Sequence, residues 1–479
     1  MLFVEQIKYT IWELLKYVYI CSKIHNRPKM SKVHKINRGL NIPLLGKAEK
    51  VIRNAEPARY YGVKPIDFQG MRTKLLAWPG DRVKAGTPLF YNKLQPHVKM
   101  PSPVSGKVAE VNRGERRKIL EVVIEPDSQM EYEEFGKGEP RDMSRDDVVD
   151  KLTKSGLWTF IRQRPYSISA NPEDDPKAIF VSGFDTAPLA PDNDFILKGE
   201  NEDFQRGIDV LSKLTSGKIH LNLNSDYPPS DVFTKAKGVQ INWFTGPHPA
   251  GNVGVQINRI DPINQGDVLW YVYPQDIITI GRLFGKGIYD ASKVIVLTGS
   301  EVKKPIYYRL LRGASIENLV KDHVEPGNLR YISGNVLTGK KINSEGYLGF
   351  FDNQVTVIPE GNYHEFLGWA KPGFNKYSMS RAFFSWLQPN RRYRLDTNLH
   401  GGERAYVISG EYEKVFPMDI YPVQLIKAIM IEDIELMEKL GIYEVDEEDF
   451  ALCEFVCTSK TPVQSIIRRG LDMMREEMT

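Results

Sequence analysis

Two short strand patterns, each closed by glycine and proline turns, limit what residues 71–124 can form. The first spans residues 77–89 and contains a Pro-Gly-Asp turn and a second turn at Gly86. The second spans residues 101–108, where a turn leads through Gly106 into another apolar strand. Short apolar strands bounded by such turns are typical of β-hairpins. We therefore predict a compact β-domain in this part of the chain.

These half-motifs resemble the flattened barrel of biotinyl and lipoyl carrier domains. In such carriers, a hairpin between the halves presents a lysine for covalent attachment of the cofactor. Counting back from Gly106 predicts that this hairpin lies at residues 93–96, with Gln95 at the lysine position. A glutamine amide is not nucleophilic. Lys93 and Lys99 lie nearby but out of register, and a one-residue slip in a strand turns a side chain to the other face. The resemblance therefore predicts a barrel-sandwich fold without a covalent group, and a carrier with a swinging arm is the alternative.

Length, charge and cysteine content narrow the class of protein further. A chain of 479 residues is long enough for three or four domains, and 41% hydrophobic and 26% charged residues are typical of a globular protein. Its 64 basic and 61 acidic residues give a net charge of +3, which does not favour a nucleic-acid partner. Three cysteines, Cys21, Cys453 and Cys457, indicate a reducing compartment without a disulfide framework.

The most apolar stretch of the chain, residues 2–24, is interrupted by Glu5, Lys8, Glu13 and Lys16. A transmembrane helix needs about 20 residues that are nearly free of charge. We therefore predict that the chain has no transmembrane segment of its own. Two interpretations of this stretch remain open. It is either an amphipathic interfacial helix or the result of a start codon assigned too early, with the functional chain beginning at Met30.

The pattern of strands, helices and turns predicts an α+β multidomain fold. Strand patterns at residues 178–181 and 218–223 alternate with a helix pattern at residues 204–214, which indicates a mainly parallel sheet. The predicted parts are an N-terminal extension (1–29), a biotinyl/lipoyl-like barrel-sandwich domain (30–142), a Rossmann-like α/β domain (143–290), a β-grasp, SLBB-like module (291–360) and a partly helical C-terminal region (361–479).

This order of modules resembles the NqrA family, which belongs to the Na⁺-translocating NADH:quinone oxidoreductase, Nqr. More distantly it is similar to RnfC of the Rnf complex and to the flavoprotein subunit of complex I. The resemblance depends on four motifs, at residues 155–159, 246–251, 332–339 and 452–457. It covers nearly the whole chain from Lys32 onward.

The resemblance implies a peripheral subunit on the cytoplasmic face of the bacterial inner membrane. The assembled complex would transfer electrons from NADH to ubiquinone or menaquinone and export Na⁺. The expected partners are the other Nqr subunits, chiefly the large membrane flavoprotein NqrB and the neighbouring NqrC, with quinone as a possible ligand. The FAD, FMN, riboflavin and Fe–S centres of the complex would belong to those other subunits. This chain would thus be part of an enzyme without carrying a catalytic residue or a cofactor itself.

In the flavin-binding relatives, a glycine-rich loop lets bare backbone approach the flavin phosphate. The matching residues here, 157–165, have bulky side chains. A second flavin element is an acidic Glu-x-Glu-Pro turn, which here has Asp185 at the first acidic position and Ala187 at the second. The sequence therefore predicts that tightly bound FMN and an NADH site are lacking. The alternative is a self-contained FMN- and NADH-binding dehydrogenase subunit like those relatives.

The relatives also bind a [4Fe–4S] cluster through four cysteines near the end of the chain. Here Cys453 and Cys457 are present, whereas Phe450 and Glu447 stand at the other two positions. Two thiolates cannot complete such a site, and we predict no metal ligands. The pair either binds a metal together with other ligands, since residues i and i+4 share a helix face, or consists of buried apolar cysteines.

Three residues are candidate contacts for a quinone. Arg162 and Arg164 either bind an anion through their guanidinium groups or are ordinary surface or interface arginines. His248 lies in a loop stiffened by two prolines. At the tip of that loop it would hydrogen-bond a quinone carbonyl or titrate near neutral pH. Alternatively, it would brace the loop against a neighbouring subunit.

Overall fold

The computed structural model describes residues 32–368 and 370–478. The expectations for residues 1–29, including Cys21, lie outside these residues. The strands, in chain order, are β1 (Val33–Lys35), β2 (Ile52–Asn54), β3 (Tyr61–Val63), β4 (Thr73–Leu75), β5 (Arg82–Val83), β6 (Pro88–Asn92), β7 (Gln95–Pro101), β8 (Gly106–Arg113), β9 (Ile119–Pro126), β10 (Arg162–Arg164), β11 (Ile168–Ser169), β12 (Ala178–Ser182), β13 (Lys218–Asn224), β14 (Gln240–Thr245), β15 (Leu269–Tyr271), β16 (Ser292–Thr298), β17 (Ile306–Leu311), β18 (Leu329–Ser333), β19 (Lys340–Ile342) and β20 (Gln354–Pro359).

The α-helices are α1 (Arg145–Lys154), α2 (Asn193–Ile196), α3 (Asn201–Leu211), α4 (Asp231–Thr234), α5 (Val253–Ile260), α6 (Pro274–Lys286), α7 (Glu317–Val320), α8 (Tyr412–Val415), α9 (Pro422–Met430), α10 (Ile434–Lys439), α11 (Ala451–Val456) and α12 (Val463–Met478). Between residue 32 and residue 478, Trp369 apart, no helix has the length and apolar character that crossing a membrane requires.

A seven-stranded sheet forms the Rossmann-like domain, in the order β1-β14-β13-β12-β15-β10-β11. Strands β1, β14, β13, β12 and β15 are parallel, and β10 and β11 add an antiparallel edge. Residues Ala178, Ile179, Phe180 and Val181 of β12 are all buried, as expected for a strand covered on both faces. The predicted parallel α/β domain is therefore confirmed.

A second sheet, in the order β19-β18-β20-β16-β17-β2, forms the β-grasp module. Its central strand β16 pairs antiparallel with β17 and parallel with β20. Two smaller sheets, β3-β9-β8-β5 and β4-β6-β7, form the barrel-sandwich domain. Apolar side chains of both sheets, such as Phe90, Met100 and Val108, are fully buried in its core. The predicted fold class is confirmed.

Strands β1 and β2 do not belong to the sheets of the barrel-sandwich domain. Strand β1 pairs with β14 of the Rossmann-like sheet, and β2 pairs with β17 of the β-grasp sheet. The strands of the barrel-sandwich sheets begin only at β3. The predicted span of 30–142 thus contains two strands that complete the sheets of other domains.

The hairpin between β6 and β7 corrects the predicted attachment position. Asn92 pairs with Gln95, which leaves Lys93 and Leu94 as a two-residue loop. Both loop residues are exposed. Gln95 is the first residue of β7, so the prediction that it occupies the attachment position at the hairpin tip was wrong. The lysine at this tip is Lys93.

The C-terminal region is helical only from residue 412 onward. Helices α8–α12 pack around a second apolar core, which includes Ile426, Phe450 and Ile467 together with Ile36 and Phe244 from the Rossmann-like sheet. Before α8, the described part of residues 361–411 contains a single 3₁₀ turn, Phe384–Leu387. Ser144 and Asp147 form a capping box at the start of α1, and α10 spans only Ile434–Lys439.

Candidate functional site

A cavity of about 280 Å³ opens at the carboxyl ends of the central parallel strands. It lies where the strand order reverses on either side of β12, which is the usual position for ligands in open α/β sheets. Its wall combines residues of the Rossmann-like domain with Asp67 from the barrel-sandwich domain, residues 333–354 of the β-grasp module and residues 446–448 of the C-terminal region. One polar cavity thus joins four parts of the chain.

Arg162, predicted as a candidate contact, lines this cavity. Its guanidinium carbon lies 5.3 Å from the ring centre of Tyr271 and 5.1 Å from that of Phe351. One Nη donates a hydrogen bond of 2.9 Å to the carbonyl oxygen of Ser167. The two rings fix the planar guanidinium by cation–π contact, so a positive charge is held at the cavity wall.

Arg164 does not lie at the surface, and that interpretation was wrong. Its side chain is fully buried. Its Nη atoms lie 2.8 Å from the carboxylate of Glu448, 3.3 Å from that of Asp446 and 3.4 Å from that of Asp449. Arg164 is absent from the cavity wall itself, but it holds in place a turn that forms part of that wall.

The acidic turn, residues 446–449, is ordered by its own hydrogen bonds. Asp446 and Asp449 form a capping box around the 3₁₀ turn Glu447–Phe450. Ser167 Oγ donates to Asp446 at 2.6 Å. Burial would raise the pKa of Asp446, but Arg164 and Arg468 lower it below its usual value. For Glu448, burial outweighs the arginine and raises the pKa.

Glu447, inside this turn, and Phe450, directly after it, stand at the two cluster positions at which cysteine is replaced. Phe450 is fully buried and its ring centre lies 4.7 Å from that of Phe416. Cys453 and Cys457 are buried, and the hydroxyl of Tyr412 donates to Cys457 Sγ at 3.0 Å. Burial raises the pKa of the Cys453 thiol, which disfavours the thiolate that binds metals. These residues do not fit a [4Fe–4S] cluster, and the described residues contain no group of three or more potential metal ligands.

Residues 157–165, which the family resemblance matches to a flavin-phosphate loop, are also filled by bulky side chains. The 3₁₀ turn Leu157–Phe160 is buried at every residue. Trp158 Nε1 donates to the carbonyl oxygen of Ala170 at 2.7 Å, and its ring meets that of Trp270 edge-on at 5.5 Å. Because these bulky side chains form the core, the backbone here is not available to a phosphate. The residues do not fit a flavin phosphate at this position.

His248 lines the cavity rather than an exposed loop tip, and it is 3% exposed. Its Nδ1 lies 3.1 Å from Thr186 Oγ1, which also accepts a hydrogen bond from the backbone N–H of Gly251 at 2.9 Å. Burial lowers the pKa of His248 to about 4. The imidazole is therefore neutral near pH 7, and the predicted titration in that range was wrong.

The Asp185 and Ala187 positions also meet at the cavity. The Asp185 carboxylate accepts a hydrogen bond of 2.8 Å from the backbone N–H of Ala187. Burial raises the pKa of Asp185, although this hydrogen bond opposes the shift. Asp185, the acidic residue that this turn retains, therefore orders the backbone of the turn.

Several wall residues were not predicted from the sequence. Asp67 and Lys340 approach to 3.6 Å. Ser333 Oγ donates to Asp352 at 2.6 Å. The motif at residues 332–339 contributed to the family resemblance and marked this wall. Lys340 directly follows the motif, and nothing in the sequence indicated that it contacts Asp67, some 270 residues earlier in the chain.

The fold and cavity define a class of multidomain α+β proteins in which a barrel-sandwich, a Rossmann-like and a β-grasp module enclose one polar site. Three family models match this chain: the NqrA N-terminal barrel-sandwich hybrid domain over residues 34–127, the NqrA second alpha/beta domain over residues 143–289 and the NQRA C-terminal domain over residues 294–344. They cover the three modules in the predicted order.

Curated relatives that carry the name of the NqrA subunit of Na(+)-translocating NADH-quinone reductase are similar over nearly the full chain. The protein from Yersinia pestis bv. Antiqua (strain Angola) is 38% identical over 92% of this chain and 99% of its own length. That from Hahella chejuensis (strain KCTC 2396) is 39% identical over the same shares. The chain therefore belongs to the NqrA family of Na⁺-translocating NADH-quinone reductase.

A solved structure of an NAD⁺-reducing [NiFe]-hydrogenase in the air-oxidized state is a much weaker match. It has a TM-score of 0.37 and 12% sequence identity, and it covers 71% of this chain and 62% of its own. Such a likeness supports no conclusion about function.

Proposed function

We propose that this chain is a peripheral subunit of the Na⁺-pumping NADH:quinone oxidoreductase that docks at the cytoplasmic face of the membrane and holds no redox cofactor of its own. The enzyme would couple electron transfer from NADH to quinone with Na⁺ export. The observation that carries the proposal is the cluster of Arg164 with the acidic turn. The cysteine positions of the flavoprotein relatives fall at Glu447, inside this turn, and at Phe450, directly after it, and ion pairs between Arg164 and the neighbouring carboxyl groups hold the turn in place.

The cost of burying charge favours a structural role for this cluster. A buried guanidinium costs several kcal/mol of desolvation unless carboxylates surround it. The Asp446 carboxylate compensates that charge, the carboxyl groups of Glu448 and Asp449 accept hydrogen bonds from the same guanidinium, and the cluster joins β10 to the C-terminal region. The acidic turn, which contains one of the two replaced cysteine positions at Glu447, thus connects two parts of the chain.

The first test is the content of the chain purified from its native membrane complex. We expect a colourless subunit without flavin or iron and with the intact mass of the unmodified chain. A yellow, NADH-bleachable protein would instead support the self-contained dehydrogenase. A mass excess that disappears in K93R would support a lipoyl or biotinyl carrier, because Lys93 is the residue at the hairpin tip.

The second test concerns partners. We expect affinity purification of the chain from membranes to recover the other Nqr subunits, chiefly NqrB and NqrC. Recovery of the chain alone under mild detergent, with NqrB and NqrC present in the same membranes, would contradict the docking role.

A second candidate function, a quinone contact, is supported by the cavity. Gly251 N–H occupies one lone pair of Thr186 Oγ1, so the threonine hydroxyl can donate to His248 Nδ1. The neutral imidazole then has its proton on Nε2, as a donor for a carbonyl oxygen. Arg162 at the same wall can bind an enolate or anionic oxygen.

We expect a water-soluble quinone analogue to quench tryptophan fluorescence and to raise the melting temperature of the purified chain. H248F should weaken this binding about tenfold, the effect of losing about 1.4 kcal/mol from one hydrogen bond. H364Q, at an exposed histidine, is the control and should bind as wild type does. Unchanged fluorescence and melting temperature in the wild type would exclude direct binding.

A further inference from the structure

An apolar turn stands out on the surface of residues 361–411. Phe374, Phe384, Trp386 and Leu387, here called the apolar tip, are each between 50% and 58% exposed. Phe384, Trp386 and Leu387 belong to the 3₁₀ turn Phe384–Leu387. A long segment with little regular structure and a concentration of exposed apolar side chains is typical of a binding surface.

The apolar tip is held in a defined conformation. The rings of Phe374 and Phe384 lie 5.9 Å apart, edge to face. The backbone N–H of Phe384 donates to the carbonyl oxygen of Pro372 at 2.9 Å, and Ser385 Oγ donates to that of Lys376 at 2.5 Å. The exposed side chains therefore project from an ordered turn, which reduces the entropy lost on binding.

Among the described residues, cations without an ion partner lie on both sides of the apolar tip. Residues 366–395 contain six lysines and arginines, of which two lysines pair with Glu365 and one arginine pairs with Glu301. Within the described part of the chain, the side chains of Arg381 and Arg392 make no ion pair. They flank the turn in sequence, Arg381 before it and Arg392 after it. A surface that covers this region and carries negative charge would pair with these two arginines.

We propose that the apolar tip and its flanking arginines dock on an anionic lipid bilayer. In a bilayer, an apolar layer lies directly beneath a negatively charged surface. Aromatic side chains prefer the headgroup level, and each lysine or arginine is attracted to anionic lipid. Apolar residues within the turn and cations on both sides of it match that layering. This inference rests on the proposed peripheral role at the membrane and names the surface that contacts lipid.

The test uses the full chain and sedimentation with vesicles. Binding is expected to phosphatidylglycerol–phosphatidylcholine vesicles at low salt, to weaken at high salt, and to be much weaker with phosphatidylcholine alone. R381Q/R392Q should lower the partition coefficient about fivefold for each arginine, because each contributes about 1 kcal/mol near an anionic surface. F384S/W386S/L387S should reduce it further and remove the quenching of tryptophan by brominated lipid.

A matched control lies on the same C-terminal region. Tyr421 and Ile431, each 70% exposed, flank α9, but acidic residues Asp419, Glu432 and Asp433 lie beside them. Y421S/I431S also removes two large exposed apolar side chains, and it should bind vesicles like the wild type. Thermal melting of every variant shows whether the fold is retained, and R381Q/R392Q remains informative if the triple variant fails to fold.

Two results would overturn the inference. In one, the wild-type chain co-purifies with the other Nqr subunits but does not bind anionic vesicles. The proposed docking role would then stand without the lipid contact. The other is an apolar-tip variant that binds vesicles normally but no longer recovers those subunits, which would show that the tip contacts protein.

Discussion

Arg164 shows how a residue can be retained for assembly of the fold. Its guanidinium is fully buried among three carboxylates of the acidic turn, so its removal leaves uncompensated negative charge in the interior. We expect R164A to lower the free energy of unfolding of the Rossmann-like and C-terminal regions by about 3–5 kcal/mol. Denaturant titration followed by tryptophan fluorescence measures this loss.

The control for this prediction is an exposed pair. Arg82 lies 2.7 Å from Asp127, but its side chain is 72% exposed. Solvent-exposed pairs contribute about 0–1 kcal/mol, so R82A should have little effect. A loss in R164A as small as that expected for R82A would show that the buried cluster does not stabilise the fold.

His248 gives a pH prediction. Because burial lowers its pKa to about 4 from 6.5, the folded chain binds this proton less tightly than the unfolded chain does. Its contribution to stability is therefore full above about pH 6.5 and is lost as the pH falls toward 4. Nuclear magnetic resonance of the imidazole, assigned with H248Q, should show a neutral ring at about pH 6. A midpoint near 6.5 would contradict a buried, neutral His248.

The same residues show how far sequence reasoning reached at the site. Arg162 and His248 were predicted as candidates, and both line the cavity. Each stood beside a recognisable motif, and the contact of either residue with a quinone stays a prediction. Asp67 and Phe350 were missed because they reach the cavity through packing between domains, which no local pattern records. The buried state of Arg164 was missed for the same reason, since its partners lie about 280 residues later.

At the scale of single elements, the turn Leu157–Phe160 most clearly shows a segment whose side chains have become part of the hydrophobic core. Trp158 is fully buried, packs against Trp270 and satisfies the carbonyl group of Ala170. W158A should cost about 3–5 kcal/mol, as large-to-small changes in a core do. W78A, at a tryptophan that is 56% exposed, should change stability by less than about 1 kcal/mol. Calorimetry of the two variants compares them directly, and similar melting temperatures would contradict the assigned core.

Elements with strong local signals were predicted well. Strand β12 contains the apolar run that the sequence marked at residues 178–181. Register was harder. The hairpin tip is at Lys93 and Leu94, just before the predicted Gln95, because counting along the chain ignores the irregular pairing of β6 with β7. Gln95 therefore gives no reason to exclude a covalent group, and the intact mass decides whether the chain carries one.

At the scale of the whole molecule, the first described strand tests how the domains depend on one another. Strand β1 covers one edge of the Rossmann-like sheet, His34 stacks on Phe244 at 4.9 Å, and Ile36 is 1% exposed. A chain that begins at residue 37 should melt at a lower temperature than one that begins at residue 32, because it loses about 2–5 kcal/mol from Ile36 alone. It should also aggregate through the uncovered edge of β14.

Calorimetry and light scattering of the two truncated chains provide the measurement. The chain that begins at residue 32 is the control, since it retains β1 in full. Identical melting temperatures and no added scattering would show that β1 does not support the sheet.

The placement of β1 and β2 ahead of the barrel-sandwich domain has a consequence for how such a chain can change its parts. Both strands are made before the barrel, yet the strands that receive them, β14 and β17, are made more than a hundred residues after it. The barrel is therefore inserted within two other modules rather than joined to their ends. A gene fusion at one end cannot exchange it, and only a double recombination that spares residues 33–54 would leave the other two sheets whole.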